Sequence, residues 1–235
     1  MKKANYWEDI DSRLDSLMKH GFVKLPSLEI FNLDAIANRI NTEMDGETFA
    51  ESSPSHTAFL EELELDRFLT PKLYEIAKNV LGYKGEVDNQ YHIARRVTPG
   101  NSKEMFRAHF DSHLFTMVLP IKIPQAKIGG TVGDLIYFPS ARKPPTNEII
   151  NFFGKAAHKR FASVKGIEAF AKNHRQITDD FKDYSPLLFI GNTTLHTNKQ
   201  VSPDCSSYRL TLLAHFFDPS PKYGVGGMLR IFRNR

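Results

Sequence analysis

Apolar residues near the start of the chain recur at helical spacing. Trp7, Ile10, Leu14 and Leu17 lie three or four residues apart, which predicts an amphipathic helix over residues 5–18. The pattern that follows predicts a short strand at 22–25, helices at 33–44, 57–67 and 71–81, and a polar loop at 45–56. We therefore expect residues 1–86 to form a mainly helical support.

From residue 87 the chain changes to short runs rich in apolar, β-branched and aromatic residues. Pro and Gly residues bound these runs, which lie at residues 87–97, 114–123, 134–138, 187–191 and 208–217. Helices followed by many strands are typical of α+β proteins, in which helices pack on a mostly antiparallel sheet. Residues 87–219 are therefore predicted to be a β-rich core on the helical support.

Residues 141–185 interrupt the strands. An excursion of this length, with Pro144 and Pro145 ahead of a mixed helical stretch, is more often a lid or binding element than a plain connection. Its basic residues could contact an anionic substrate, although a solvated helix face explains most of them better: Arg142, Lys143, Lys155, His158, Lys159 and Arg160. With a basic tail at 220–235, the whole chain, 1–235, is expected to be one domain.

Charge is distributed unevenly along the chain, whose formal net charge is +4. Residues 1–90 contain 10 Lys and Arg against 17 Asp and Glu, while residues 91–235 contain 21 against 10. The basic residues are scattered rather than clustered as in an arm that binds nucleic acid. The asymmetry therefore favours anionic small-molecule ligands and gives no indication of a nucleic-acid partner.

Composition also indicates a compartment. No apolar run approaches the roughly 20 residues that a membrane-spanning helix needs, and the acidic N-terminus lacks the apolar stretch of a secretory signal. A single cysteine, Cys205, excludes an intramolecular disulfide and fits a reducing environment. We expect a cytoplasmic protein without a transmembrane segment.

The sequence His109-Phe110-Asp111 is a candidate metal-binding motif. Because alternate residues of an extended chain point to the same side, the imidazole and the carboxylate would face one site and Phe110 the other. A second histidine, His196, follows the apolar run 187–191. Two His and one carboxylate on one face of an iron leave positions open for other ligands. A lone His-x-Asp is nevertheless common in sequences that bind no metal.

A second motif on the last predicted strand strengthens this interpretation. Arg209 and Thr211 are also alternate residues and point the same way. A guanidinium and a hydroxyl are suited to binding a carboxylate in a buried pocket. The alternative is an arginine on a solvent-facing edge, which the apolar neighbours Leu210 and Leu212 disfavour.

The order His-x-Asp, long gap, His and Arg-x-Thr resembles the Fe(II)/2-oxoglutarate-dependent dioxygenases. The layout is similar to their phytanoyl-CoA dioxygenase and prolyl-hydroxylase branches, with residues 133–139 similar to the middle Gly-x-Leu strand and 188–196 to the distal-His strand. The resemblance covers residues 87–219. It implies a double-stranded β-helix, or jelly roll, with N-terminal packing helices and a helical insertion.

The resemblance also implies chemistry. His109, Asp111 and His196 would ligate Fe(II), and Arg209 with Thr211 would bind the distal carboxylate of the cosubstrate 2-oxoglutarate. O2 would be consumed to hydroxylate an unactivated C–H bond, with release of succinate and CO2. Related halogenases carry a small residue at the position of Asp111, so the carboxylate here favours hydroxylation.

Gln90 and His92 are candidate substrate contacts on the first predicted strand of the core. They share one face of that strand, while Tyr91 and Arg95 share the other. One face should meet the cavity, and the sequence alone does not show which.

Two further candidates lie near the motifs. His113 follows Asp111 by two residues and could contact a ligand or the substrate, or simply be exposed. Arg142 lies at the start of the predicted lid. On the last strand, His215 stands among apolar residues and is interpreted as a satisfied core histidine.

Two other functions remain open at this point. A cupin-like binding protein could keep the barrel without turnover, although no ligand of the motif set is missing. A zinc-dependent hydrolase could use the same three ligands, but Arg209 and Thr211 would then have no purpose. The substrate is expected to be a small or medium-sized molecule, with anionic and carrier-bound compounds both open, and the oligomeric state is not predicted.

Overall fold

The structure is a computed structural model that describes residues 6–51, 53–103, 105–144 and 161–219. Its helices are α1 (Ile10–His20), α2 (Leu33–Glu43), α3 (Pro54–Glu62), α4 (Leu65–Phe68), α5 (Thr70–Asn79) and α6 (Val164–Ala171), with a 3-10 turn at Leu28–Ile30. Helix α1 ends at Gly21, whose N–H donates to the Leu17 carbonyl and whose φ of 81° turns the following chain out of the helix. The predicted helix 57–67 is divided between α3 and α4, where Glu64 has a φ of 54°.

Nine strands are described. They are β1 (Phe22–Lys24), β2 (Phe49–Glu51), β3 (Gln90–Val97), β4 (Phe115–Lys122), β5 (Leu135–Phe138), β6 (Ile177–Asp179), β7 (Leu187–Ile190), β8 (Leu195–Asn198) and β9 (Arg209–Phe216). A six-stranded sheet has the order β1-β7-β4-β9-β3-β2, and a three-stranded sheet has the order β6-β5-β8. All their pairings are antiparallel, which confirms the predicted α+β class with mostly antiparallel sheets.

Residue periodicity did not predict strands β2, β6 and β8. They are three or four residues long and carry polar residues, so no periodicity distinguishes them from loops. Strand β2 lies in the predicted polar loop and β6 in the predicted insert. Strand β8 has the sequence Leu-His-Thr-Asn and contains His196; the resemblance indicated one distal-His strand over 188–196, and the structure divides that stretch between β7 and β8.

Strand β9 has one face towards the helical layer and the other towards the space between the two sheets. Leu210, Leu212, Ala214 and Phe216 are buried in one cluster with the N-terminal helices. The intervening residues of β9 line a cavity together with residues of β5 and β8 from the other sheet. On the outer side of the small sheet, α6 packs through Ile167 and Phe170 against Phe110 and Phe138. The helices therefore cover one face of the large sheet and leave its other face for the site.

The described part of the chain contains no helix that is long and apolar enough to cross a membrane. Two segments lie outside the described residues: the tail 220–235 and residues 145–160 of the predicted insert, which include Lys155, His158, Lys159 and Arg160.

A buried histidine in the helical layer should make the fold sensitive to acid. His56 has 0% exposure, and within the described residues neither ring nitrogen has a hydrogen-bond partner. Burial, and then the charge of His92, lowers the pKa of His56 to about 4, although Glu43 opposes the shift. The unfolded chain therefore binds a proton that the native protein rejects between pH 6.5 and 4. As the pH is lowered across that window, the free energy of unfolding should decrease, by up to about 3 kcal/mol from this group.

We expect His56→Leu to flatten this pH dependence. Urea unfolding of metal-free protein between pH 4 and 7.5 would measure it, with His20→Gln as the control because His20 is exposed. Equal slopes for His56→Leu and the wild type would show that His56 is not responsible.

Candidate metal centre

The backbone brings the two candidate histidine ligands together. His109 and His196 form an isolated antiparallel bridge, in which each N–H donates to the other residue's carbonyl at 3.1 Å. Their ring centroids are 4.3 Å apart. His109 precedes β4 and His196 lies on β8, so this bridge fixes a pair that is distant in sequence.

Asp111 completes a compact set of donor atoms. Its Oδ1 lies 3.4 Å from His109 Nε2, and its Oδ2 lies 3.7 Å from His196 Nε2. One ligand atom from each of the three residues lies within 4.8 Å of the others. Between the two ligands of the motif, Phe110 points away into the cluster beneath α6 and is buried. The structure thus places the three predicted ligands around a single point.

The hydrogen bonds of the two imidazoles orient them for metal binding. His109 Nδ1 lies 2.7 Å from the Arg107 carbonyl, and His196 Nδ1 lies 3.3 Å from the Thr194 carbonyl. Because a carbonyl only accepts, each Nδ1 carries the proton and each Nε2 presents a lone pair towards Asp111. Two imidazole Nε2 atoms and a carboxylate facing one another can share either a proton or a metal ion, so the donor set fits a metal ion.

The electrostatics of the triad favour the ligand forms of these groups. Burial lowers the pKa of His196 to about 4, so its ring is neutral at physiological pH. Burial would by itself raise the pKa of Asp111, but the neighbouring His196, His109 and His215 outweigh it and hold that pKa well below its usual range. At neutral pH the site therefore offers a carboxylate and a neutral buried imidazole.

Thr116 and His215, which were not predicted to support the metal site, position the Asp111 carboxylate through hydrogen bonds. The Thr116 hydroxyl donates to Asp111 Oδ2 at 2.6 Å and lies 3.0 Å from His215 Nδ1. Since the hydroxyl has one proton, His215 must donate to Thr116 through Nδ1–H. A β-carbon at Gly191 would lie 2.7 Å from Thr116 Oγ1 and 3.1 Å from the Asp111 β-carbon, which explains the glycine there.

Thr116 provides a direct test of this arrangement. Thr116→Val keeps the side-chain shape but removes the hydrogen bond to Asp111, and we expect it to weaken Co(II) binding about 10- to 100-fold. Thr116→Ser should bind Co(II) like the wild type. Absorption titration of each protein with Co(II) would measure the dissociation constants. Equal affinities for the valine and serine variants would contradict the role assigned to the hydroxyl.

Alternate residues of β9 line the cavity beside the triad. Arg209, Thr211, Leu213 and His215 all line it, and they are joined by further side chains from both sheets: Arg95, Thr116, Val118, Leu135 and Asn198. The predicted common orientation of Arg209 and Thr211 is therefore seen in the structure. His215 is buried and hydrogen-bonded, as a core histidine would be, but it lies in the wall of the site.

Arg209 is a buried cation without a matching anion. It is 3% exposed, and no side chain in the described ranges forms a hydrogen bond or an ion pair with its guanidinium. Burial, and then the charge of Arg95, lowers the pKa of Arg209 to about 9, so it stays charged at neutral pH. The nearby carboxylates of Asp134 and Asp179 pair with Lys199 and Lys24 instead, at 3.0 and 2.9 Å. Asp134 and Asp179 favour the charge of Arg209 only from a distance, and a buried guanidinium without an ion pair fits an anionic ligand.

Gln90 and His92 lie on the face of β3 that meets the helices. The Gln90 amide donates to Asp66 at 3.2 Å, and the His92 ring lies 5.9 Å from that of His56. Neither residue lines the cavity. The other face of β3, through Arg95, faces the site, because the pairing of β3 with β9 fixes a register that the sequence left open.

His113 and Arg142 lie next to the site rather than in the cavity wall. The His113 ring stacks on that of His215 at 5.1 Å. Arg142 Nε donates to the Asn192 carbonyl at 2.7 Å, and its guanidinium lies 4.0 Å from the centre of the Phe110 ring. Arg142 therefore contacts the turn before β8 and the residue between the two ligands of the motif, and burial lowers its pKa to about 10.

Comparison with known proteins connects this geometry to a fold. No protein-family model matches the sequence, and no curated protein is significantly similar to it. Solved structures do match. A prolyl-4-hydroxylase from Pseudomonas putida aligns with 88% of this chain and 97% of its own, with a TM-score of 0.53 and 12% identity.

Two further structures agree with this match. The carbocyclase SnoK of nogalamycin biosynthesis, described as non-heme and alpha-ketoglutarate dependent, aligns over 93% of this chain and 89% of its own, with a TM-score of 0.53 and 12% identity. HygX from Streptomyces hygroscopicus, solved with iron bound, aligns over 88% and 85%, with a TM-score of 0.52 and 11% identity.

This chain has the fold of the non-heme 2-oxoglutarate-dependent enzymes. The resemblance predicted from the order of the motifs is therefore confirmed for the fold, including its similarity to prolyl hydroxylases. At identities of 11% and 12% the likeness to this oxygenase fold says nothing about the substrate.

Proposed function

We propose that the protein is an Fe(II)- and 2-oxoglutarate-dependent oxygenase that hydroxylates an unactivated C–H bond of a small or medium-sized substrate. The observation that carries the proposal is one cavity lined by both a His-Asp-His triad and a buried arginine that forms no ion pair within the described residues. The triad alone would also suit a zinc hydrolase, and the arginine alone would suit a binding site for any small anion. Together they match a metal and a dicarboxylate cosubstrate.

Fe(II) would be held by His109 Nε2, His196 Nε2 and a carboxylate oxygen of Asp111. Two imidazoles and one carboxylate on one face of the ion leave the remaining positions for the cosubstrate and oxygen. Thr116 holds the second carboxylate oxygen, which favours binding of the metal through one oxygen only. The ion supplies the activation of O2 that no amino-acid side chain provides.

2-Oxoglutarate would bind with its 2-oxo acid end at the metal and its distal carboxylate at Arg209 and Thr211. Both side chains point into the cavity from alternate positions of β9, and Val118, Leu135 and Leu213 line its apolar part. A carboxylate held by a guanidinium in such surroundings forms a strong charge-assisted pair. The apolar wall would also exclude water from the reacting atoms.

The proposed reaction converts substrate R–H, 2-oxoglutarate and O2 into R–OH, succinate and CO2. One oxygen atom enters the substrate and the other enters succinate, and the cosubstrate supplies two electrons. The triad carboxylate of Asp111 supports hydroxylation over halogenation, because it occupies the position that a halide would need.

We further propose that the two antiparallel sheets, which contribute to one cavity, form a double-stranded β-helix. Residues 1–235 would then be one domain, with the N-terminal helices packed on the outside of the large sheet. Within the predicted insert 141–185, α6 packs on the outer side of the small sheet and β6 pairs with β5, so these two described elements belong to the body of the domain rather than to a lid.

The proposal is tested by measuring succinate formation from 2-oxoglutarate with Fe(II) and O2 present, using a panel of candidate substrates. Oxygen-dependent succinate formation that stops when Fe(II) is omitted is expected. A binding protein of the cupin type would bind metal without forming succinate. A zinc hydrolase would contain zinc after purification without oxygen and would turn over its substrate anaerobically.

A further inference from the structure

The two chain segments that carry the candidate metal ligands run side by side, and their backbones are joined at two points. At one point His109 and His196 exchange hydrogen bonds, and at the other the Asp111 N–H donates to the Gly191 carbonyl at 3.2 Å. Between these points, the single residue between His109 and Asp111 stands opposite a stretch of four residues that begins with the turn before β8. Regular strand pairing cannot fix a stretch of four residues against one, so its position depends on other contacts.

Arg142 connects the two segments between those points. Its guanidinium lies 4.0 Å from the centre of the ring of Phe110, the residue between His109 and Asp111. Its Nε donates at 2.7 Å to the carbonyl of Asn192, the first residue of the turn. A planar guanidinium can lie on the face of a ring while it donates from its edge, so one side chain supplies both contacts.

The contact with Asn192 lies close to the hydrogen bond that orients His196. The next carbonyl along the chain, that of Thr193, accepts from the Ala141 N–H at 2.9 Å. The carbonyl after it, that of Thr194, lies 3.3 Å from His196 Nδ1. Because these three carbonyls are consecutive, a shift at the first changes the direction of the third and of the imidazole that donates to it.

The contact with Phe110 acts on the other two ligands. The Phe110 ring is 1% exposed and is buried in one cluster with Phe138 and Ile167. Close-packed interiors transmit small displacements, and the backbone of Phe110 continues directly into His109 and Asp111. A change in the position of this ring would therefore move both neighbouring ligands.

We propose that Arg142 is a positioning residue of the metal centre, which holds the segment of His109 and Asp111 and the turn before His196 at the spacing that metal binding needs. This inference rests on the proposed function, because it takes the triad to be the metal site. Arg142 acts through Phe110 and the turn. It would therefore set the geometry at the ion without touching the ion.

The test measures Co(II) affinity and the d–d absorption spectrum of the Co(II)-loaded protein, without oxygen. We expect Arg142→Met to weaken Co(II) binding about 10-fold, at the lower end of the effect of residues that directly support a ligand. The d–d bands should shift, because they report the arrangement of the ligands around the ion. Arg142→Lys keeps a cation but loses the planar fork, and it should fall between Arg142→Met and the wild type.

Arg67→Met is the matched control, because Arg67 also lies over a phenylalanine but belongs to the helical layer. Its guanidinium lies 4.9 Å from the centre of the Phe68 ring and pairs with Glu64 at 2.7 Å. This variant should have the Co(II) affinity and the spectrum of the wild type. If Arg142→Met does not fold, Arg142→Lys carries the comparison.

The outcomes separate this inference from the function on which it rests. Wild-type Co(II) affinity and an unchanged spectrum in the Arg142 variants would overturn the role of Arg142 and leave the proposed function standing. Weaker binding with an unchanged spectrum at saturating Co(II) would also overturn it, because Arg142 would then support the fold and not the geometry of the centre. A wild-type protein that binds no Co(II) would overturn both.

Discussion

Replacement of Asp111 with alanine is expected to abolish succinate formation and to weaken metal binding by roughly 100-fold or more, beyond the effect of losing a residue that only supports a ligand. Asp111 is the one anionic member of the triad and is 8% exposed. Without it, His109 and His196 would present two neutral nitrogens that bind Fe(II) weakly. Co(II) titration and succinate formation would measure the two effects.

Asp180→Asn is the control for this variant, because Asp180 is a partly exposed carboxylate paired with Lys182 away from the triad. It should bind Co(II) and form succinate like the wild type. Full metal affinity in Asp111→Ala would mean that the metal binds elsewhere, and the proposed centre would be wrong.

Replacement of Arg209 with methionine is expected to have two effects of opposite sign. Binding of 2-oxoglutarate should weaken roughly 100-fold or more, because the methionine offers no donor to the distal carboxylate. The ligand-free protein should at the same time become more stable, by about 1–4 kcal/mol, because a buried cation that forms no hydrogen bond or ion pair with a described side chain is replaced by an apolar side chain of similar length. Calorimetric binding and urea unfolding of ligand-free protein would measure the two effects.

The sign of the stability change separates a ligand-binding role from a structural one. An arginine that held the strands together would destabilise the ligand-free protein when removed. If Arg209→Met is less stable than the wild type and binds 2-oxoglutarate normally, the cation is structural and the cosubstrate site is wrongly placed.

The parts of the site that were predicted from sequence are those that depend on local alternation. In an extended chain, side chains two residues apart share a face, so His109 could be placed beside Asp111 and Arg209 beside Thr211 without a structure. The order of the motifs along the chain then indicated the fold. These inferences need no knowledge of which strands pair.

The parts that were not predicted depend on contacts between distant segments. Arg95 lines the cavity because β3 pairs with β9 in one register, and a shift of one residue would bring Gln90 and His92 there instead. Thr116, on β4, reaches Asp111 because the chain between the two residues turns just before β4, and sequence patterns do not specify that turn. Strand β8, which carries His196, is too short and too polar for periodicity to indicate it, and only the resemblance of residues 188–196 to a distal-His strand pointed there.

The central claim is that one cavity holds Fe(II) and 2-oxoglutarate together. Anaerobic titration of Fe(II)-loaded protein with 2-oxoglutarate tests it most directly, since a 2-oxo acid bound to Fe(II) gives a weak visible charge-transfer band. We expect the band to saturate at one 2-oxoglutarate per iron in the wild type and to be absent from Asp111→Ala. A wild-type protein that binds Fe(II) but shows no band at saturating 2-oxoglutarate would contradict the account.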